Sequence, residues 1–337
     1  MSWRSVIITR PSKLSLKNNQ LQISQDEAWN VPIEDISALV IESAQVVITE
    51  GLLSKLCENN TIVYICDNKH IPNGYVLPYY QHSRTSKIIK EQINLTEPFK
   101  KRIWQEIIKQ KIVNQAYVLK CIGKHDSERK LMSLVNHVDS GDSKNIEGQA
   151  AKIYFESLFE KGFTRMHDNI FNACLDYGYT IIRGAVARSI VEHGYIPCLG
   201  IHHRNELNNY NLADDFIEPY RPIVDLWVAQ KIKRNDEFNA DIRFSLVDLL
   251  NYDIIIAQKG ELTYFFKDSK QLLKTGANLY SVEDKFITCY NDETGLSMLY
   301  FFKTGVSLEN ILNCRYCSET FMCEMPDHSF AFYTHDG

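Results

Sequence analysis

Three features, in separate segments, carry the chemistry this chain can offer: the carboxylate of Glu147, the imidazole of His203 and the acidic cluster Asp214-Asp215-Phe216-Ile217-Glu218. Oxygen and nitrogen donors drawn from different segments suit a divalent cation. Glu147 falls in residues 145–159, which read as a helix entered from the polar loop Asp139-Ser140-Gly141-Asp142-Ser143. Helical spacing aligns it with Ala151, Tyr154 and Leu158, an inward stripe, rather than with Lys152 and Glu156. A carboxylate on an apolar stripe needs a compensating partner. A plainer account, an acid favoured in a first helical turn by the helix dipole, fits the position as well.

The run Tyr195-Ile196-Pro197-Cys198-Leu199-Gly200-Ile201 delivers His202 and His203 at the end of an extended segment. Asn211 then starts a helix on which Asp214 follows three residues later, a weak capping-box-like beginning, with Asp215 and Glu218 one turn apart on one face. Pro219 and Pro222 interrupt the pattern, so the acidic turn is expected to be short and rigid. Asp214 alone could be a dipole-compensating acid, and His202 alone a structural histidine; the conjunction of groups is what points to a site.

These residues need a scaffold, and the chain changes texture along its length. Short β-branched runs at Val6-Ile8, Ala38-Ile41, Val46-Ile48 and Thr61-Ile65 alternate with turn residues, including Asn18-Asn19 and Asn73-Gly74, with a short helix expected at about 51–58. Residues 1–78 therefore read as a small β-rich domain. Residues 79–98 read as a linker with an exposed Gln81-His82-Ser83-Arg84, and residues 99–256 as a mainly helical domain, an α+β chain as a whole. Within it Pro98 to Leu119 places apolar residues at Ile103, Ile107, Ile108, Ile112 and Ala116, and Phe163 to His193 forms a second long helix or helix pair stopped by Gly194.

Four separated strings, 145–155, 168–179, Gly200-Ile201-His202-His203 and 211–222, closely resemble the CRISPR-associated integrase family "Cas one", in its type II form. Trp3-Arg4-Ser5-Val6-Ile7-Ile8, Lys13 to Leu21, Ile33-Glu34-Asp35-Ile36 and Ile65-Cys66-Asp67-Asn68-Lys69 resemble the family's opening domain. The resemblance implies metal ligands at Glu147, His203 and Glu218, with Asp215 an accompanying acid that orients His203 or binds through water. It implies Mg²⁺ or Mn²⁺, polarising a phosphoryl oxygen while the 3′-hydroxyl of a short DNA duplex attacks a phosphodiester at the edge of a CRISPR repeat. That is spacer acquisition in antiviral defence, and cleavage of branched DNA would be the reverse or hydrolytic form of the same chemistry. The implied partners are double-stranded DNA, a second copy in a homodimer, a "Cas two" dimer and, in type II systems, the "Cas nine" effector.

Net charge is −5 and the isoelectric point about 6.1, so no global basic field draws the chain to DNA. Charge is uneven, however: residues 81–130 hold 12 Lys and Arg against 5 acids, a local +7 that suits phosphates or, residue by residue, a solvated helix face. Arg84, Arg183, Arg188 and His202 are the candidate DNA contacts, the two middle arginines because they follow Tyr177-Gly178-Tyr179. Nine scattered cysteines read as reduced thiols, and no apolar run is long enough to span a membrane; a cytoplasmic protein is expected.

The resemblance runs to about Ile256 and then fails. Residues 257–337 contain aromatic runs, Glu261-Leu262-Thr263-Tyr264-Phe265-Phe266, Met298-Leu299-Tyr300-Phe301-Phe302 and Phe330-Ala331-Phe332-Tyr333, more typical of strands than of the family's closing helices. This stretch carries 7 Lys and Arg against 11 acids, a balance of −4. Cys314 and Cys317 form one CxxC pair with Cys323 and His328 beyond it, an incomplete zinc pattern better read as free or buried thiols. Two functions remain in play: an active metal-dependent integrase, or a DNA-binding assembly scaffold left catalytically incomplete by its altered C-terminal region.

Overall fold

The computed structural model of the protein describes residues 4–79 and 82–251 and, beyond these, the strand residues between 253 and 334. Strands come first: β1 Arg4–Ile8, β2 Ser12–Lys17, β3 Gln20–Ser24, β4 Ala28–Pro32, β5 Ile36–Ile41, β6 Val46–Ile48, then helix α1 Glu50–Glu58, and β7 Ile62–Cys66 and β8 Pro72–Val76. Helices follow: α2 Thr85–Ile93, α3 Glu97–Cys121, α4 His125–Val135, α5 Ile146–Leu158, α6 Ile170–Glu192, α7 Asn211–Ile217, α8 Arg221–Lys231 and α9 Ala240–Asp248. Strands return as β9 Asp253–Gln258, β10 Glu261–Tyr264, β11 Tyr280–Val282, β12 Phe286–Tyr290, β13 Ser297–Phe301, β14 Thr320–Glu324 and β15 Phe330–Thr334. This is the α+β arrangement expected, with the four early strands and the short helix in place. Residues 79–98 hold a helix, α2, where only a linker was expected.

Compactness divides the chain differently from the linear boundaries at 78, 98 and 256. Two units interleave: one from Met1–Leu95, Asp168–Ile217 and Lys233–Asn251, the other from Thr96–His167, Glu218–Ile232 and Tyr252–Gly337. In the first, one sheet has the order β1-β5-β7-β8, parallel except for the antiparallel β7/β8 edge. The second has the order β4-β3-β2-β6, antiparallel except for β2/β6. Asn18 and Asn19 link β2 to β3 with φ of 50° and 58°, the left-handed pair that a two-residue hairpin turn demands. Leu14, Leu21, Ile36, Leu39, Leu52, Leu56 and Val63 fill the core beneath.

The long helix α6 belongs to this unit because it packs on β7 and β8. Tyr64 donates its hydroxyl to the Ile181 carbonyl at 2.7 Å, and Gly184 leaves room for the Tyr64 ring, which a Cβ there would overlap. Helix α9 is held by a buried ion pair: the Arg243 guanidinium donates Nε and Nη2 to the two oxygens of Glu42 at 2.9 and 3.0 Å. Tyr177 adds a hydroxyl bond to the same carboxylate at 3.3 Å. Burial of the charges is sustained by this satisfaction of the carboxylate.

In the second unit α3 is buried on nearly all sides from Trp104 to Leu119, as a central helix must be. Helices α4, α5 and α8 pack on it, and Tyr154 of α5 donates to Asp225 of α8 at 2.9 Å. The stripe that α5 buries is Ile146, Ala150, Tyr154 and Leu158. Glu147 therefore lies beside the stripe rather than on it, because the helix phase is set one residue earlier than helical spacing from Glu147 suggested. Beyond residue 251, strands occur at β10, β13 and β15, where the aromatic runs were expected to form them. Cys314, Cys317 and His328 lie outside the described residues, as does the side chain of Cys323.

Candidate active site

Helix α5 begins on unusual backbone. Asn145 adopts φ 52° and its side chain accepts from the Gly148 amide at 3.1 Å, while the Asp142 carboxylate accepts from the Ile146 and Glu147 amides at 2.8 and 3.0 Å. The first-turn amides are thereby satisfied, and Glu147 is held at the start of a helix whose end is fixed. Its Oε1 accepts from Lys111 Nζ at 2.6 Å.

Lys111 comes from the middle of α3, and its ammonium also makes an ion pair with Glu218 Oε2 at 2.5 Å, without hydrogen-bond alignment to that oxygen. Glu218 opens a 3₁₀ turn, Glu218–Tyr220, between α7 and α8, the short turn that the two prolines foreshadowed. The turn is pinned to α3 by Asn114, which donates to the Pro219 carbonyl at 2.7 Å and accepts from Gln110 at 2.7 Å. Glu218 is 4% exposed, and its Oε1 accepts from Arg221 Nε at 2.9 Å. Burial pushes the Glu218 carboxyl up, but Lys111 and then Arg221 outweigh it and hold it at about 2. Burial alone would lower the Lys111 ammonium; Glu218 and Glu147 reverse that and raise it. The second unit thus brings the carboxylates of Glu147 and Glu218 together on the Lys111 ammonium, with Arg221 on the other oxygen of Glu218.

In the first unit, Asp215 is fully buried and accepts four bonds. Its Oδ2 takes the amides of Ile201 at 2.5 Å and His202 at 3.1 Å; its Oδ1 takes the His203 amide at 3.0 Å and the His203 ring Nδ1 at 2.8 Å. One carboxylate therefore shapes the backbone of residues 201–203 and orients the imidazole. An ionised acid facing Nδ1 makes that nitrogen the proton-bearing one, so Nε2 carries the lone pair. Gly200 is required here, since a Cβ would run into the His203 carbonyl and the Asp215 carboxylate.

The other candidates separate by exposure. Arg183 pairs with Asp214 at 3.0 Å, bonds Asn208 at 2.9 Å and lies over the Tyr210 ring. Arg188 donates to the Ser37 carbonyl at 2.7 Å, and burial lowers its pKa. Both guanidiniums are engaged inside the first unit. Arg84 and His202 are exposed. Within the basic stretch 81–130, four of the five acids pair with a neighbouring Lys or Arg, Lys87–Glu91, Lys100–Glu97, Lys109–Glu106 and Arg129–Asp126, which reduces the field the lysines project. Sequence reasoning missed Lys111 and Arg221. The signal for Lys111 was a lysine among Ile107, Ile108 and Ile112, in a helix apolar on nearly every side; for Arg221 it was its place one turn after Glu218.

Among the described residues no group of three or more His, Cys, Asp and Glu side chains is gathered to hold a metal ion. The donor chemistry nonetheless fits a hard divalent cation. Two carboxylates converge where the fold already places a cation, and an imidazole backed by a carboxylate is the usual form of a metal-binding histidine.

A model of the CRISPR-associated protein Cas1 family matches residues 6–243. The chain belongs to the Cas1 family. It is 44% identical over 263 residues to the CRISPR-associated endonuclease Cas1 of Neisseria meningitidis serogroup C (strain 8013), covering 77% of this chain and 86% of the relative. A Cas1 endonuclease of Francisella tularensis subsp. novicida (strain U112) is 22% identical over 243 residues, covering 65% and 74%. In fold, the chain resembles a casposase bound to its integration product, with TM-score 0.66 at 17% identity over 82% of this chain and 89% of that one. It also resembles a Cas1 protein from Thermotoga maritima, with TM-score 0.58 at 18% identity over 73% and 87%. The Cas1 family match stops at residue 243, ahead of the strands β9 to β15. Among the described residues no helix is long and apolar enough to cross a membrane.

Proposed function

We propose that this Cas1 chain is a divalent-metal-dependent DNA integrase and endonuclease of CRISPR adaptation, of the type II form, which joins short duplex spacers to the repeat array. The observation that carries this reading is the pair of carboxylates, Glu147 and Glu218, from separate elements, closing on the one ammonium of Lys111. The name of the Neisseria relative, an endonuclease, supports the same reaction class. Glu147, His203 and Glu218 would hold Mg²⁺ or Mn²⁺, which when bound supplies Lewis-acid polarisation of a phosphoryl oxygen. Asp215 keeps the proton on Nδ1 of His203 and presents Nε2 as the donor nitrogen. Arg221 holds Glu218 by its Oε1 and keeps it ionised.

No side chain is asked to act as nucleophile. The DNA brings its own 3′-hydroxyl, and the protein contributes position and charge. Arg84, His202 and the exposed lysines of 81–130 would follow the phosphate backbone. A homodimer, a Cas2 dimer and, for the type II form, the "Cas nine" effector are the partners this reading requires; a chain of a Cas6-RT-Cas1–Cas2 complex resembles this one in fold, with TM-score 0.56 at 21% identity over 81% of this chain and 32% of that one.

The second reading, an assembly scaffold that binds DNA without completing integration, is favoured by one observation, the family match ending before β9. Strand transfer of a fluorescent duplex into supercoiled repeat DNA with Mn²⁺ separates the two. The integrase reading expects joined product from the full chain and background from E147A and H203A. Retained DNA binding with no product from the full chain would leave only the scaffold.

A further inference from the structure

Lys111 sits where the metal reading needs an ion to sit. Its side chain is 11% exposed, and its Nζ lies 2.6 Å from Glu147 Oε1 and 2.5 Å from Glu218 Oε2. An ammonium has three donors and no lone pair, so while charged it cannot join the coordination of a metal. It can only compete for the same oxygens. The other oxygen of Glu218 is already taken by Arg221 at 2.9 Å, which leaves Oε2 as the atom that a cation and Lys111 must contest.

We propose that Lys111 is a built-in counter-cation of the Glu147–Glu218 pair, and that a divalent ion binds there by displacing its ammonium. The inference rests on the reading of these two carboxylates as metal ligands. Two like charges facing each other in a partly dry site would repel and splay; Lys111 keeps them converged before an ion arrives. The same bond lowers the affinity for the ion, since carboxylates engaged by an ammonium must be released first. Helix α3, buried around Lys111, and the Asn114 bond to Pro219 hold the backbone of the site while the side chain leaves. Lys111 is thus a positioning residue whose departure is coupled to metal binding, and its effect is opposite in sign to that of a ligand.

That sign is the test. Calorimetric titration of Mn²⁺ into the full chain at pH 8 is compared with K111M and with E147Q. K111M is expected to bind Mn²⁺ about tenfold to a hundredfold more tightly, the span over which groups beside the ligands tune metal affinity. E147Q is expected to bind more weakly. Equal or weaker binding by K111M, with wild-type binding intact and lost in E147Q, would overturn the role of Lys111 and leave the metal reading standing. Wild-type binding that is absent, or indifferent to E147Q, would overturn the metal reading and this inference with it. Because K111M leaves two carboxylates facing each other, a second measurement uses the wild-type protein alone: acetylation of Lys111 read by mass spectrometry. Mn²⁺ is expected to raise its labelling rate severalfold relative to the exposed Lys87 and Lys130; an unchanged rate with Mn²⁺ bound refutes displacement.

Discussion

Replacing Asp215 by Asn is nearly isosteric, and the structure says it will nevertheless rewrite the His203 site. Each carboxylate oxygen accepts two donors: Oδ2 from the Ile201 and His202 amides, Oδ1 from the His203 amide and ring Nδ1. An asparagine must put its NH₂ at one of these positions. At the Oδ2 position it would oppose two backbone N–H groups. At the Oδ1 position it would oppose one, because the ring can change tautomer and accept at Nδ1. The second arrangement is therefore favoured, and it moves the ring proton to Nε2, taking away the lone pair that the proposed metal-binding role of His203 requires. One stranded buried N–H costs about 1–3 kcal/mol, and the bonds that remain lose their charge assistance, so the total is on the order of 3 kcal/mol. Long-range ¹H–¹⁵N correlation on histidine-labelled D215N reads the tautomer, and denaturant unfolding reads the stability. Manganese affinity should fall about tenfold to a hundredfold. Persistence of the Nδ1–H tautomer with a stability change below about 0.5 kcal/mol, the range of ordinary surface substitutions, would refute the reasoning.

Two stability predictions test the scaffold of the first unit. E42A strands the Arg243 guanidinium, which is 7% exposed, and should cost about 3–5 kcal/mol in denaturant unfolding; the double variant E42M/R243M should recover much of that, and a single-variant loss under about 1 kcal/mol would mean the pair is not what fastens α9. G184A drives a methyl into the Tyr64 ring and breaks its bond to the Ile181 carbonyl, for about 2–4 kcal/mol; hydrogen exchange should quicken in β7 and α6 together, and protection equal to wild type would show that Tyr64 can move aside.

The early strands were legible because β-branched runs and Asn-rich turns act locally: Asn18 and Asn19 take the left-handed conformations their side chains tolerate. Helix α3 was legible for the same reason, from Pro98 at its start and its repeating isoleucines. What sequence could not expose was the packing partner of each element. Nothing near Leu175 or Ile190 announces that α6 lies on β7 and β8, and nothing near Glu42 announces Arg243. The site shows the same split. Glu147, His203 and Glu218 stood out as donors in odd places, while Lys111 was counted among the basic residues of 81–130 because its charge, read along the chain, looks like its neighbours'. Burial separates it from them, and burial is a property of the fold. The internal partners of Arg183 and Arg188, namely Asp214, Asn208 and Ser37, were hidden in the same way, since they lie distant in sequence or inconspicuous within it.

The interleaving of the two units bears on how the protein is made. Ser5 bonds Asn251, and Glu42 bonds Arg243, so the first unit is closed by residues that leave the ribosome long after its strands do. Residues 1–95 emerge with their sheets but without α6 and α9. At about 5–20 residues per second, the wait from residue 95 to residue 251 is roughly 8–30 s. For roughly the first 5–19 s of it, until residue 192 is made, the place of α6 on β7 and β8 is vacant, and Tyr64 and Tyr75 lack the α6 carbonyls their hydroxyls bond. A chaperone or rapid translation is thus expected to matter more for the yield of this protein than for a chain whose domains close one after the other.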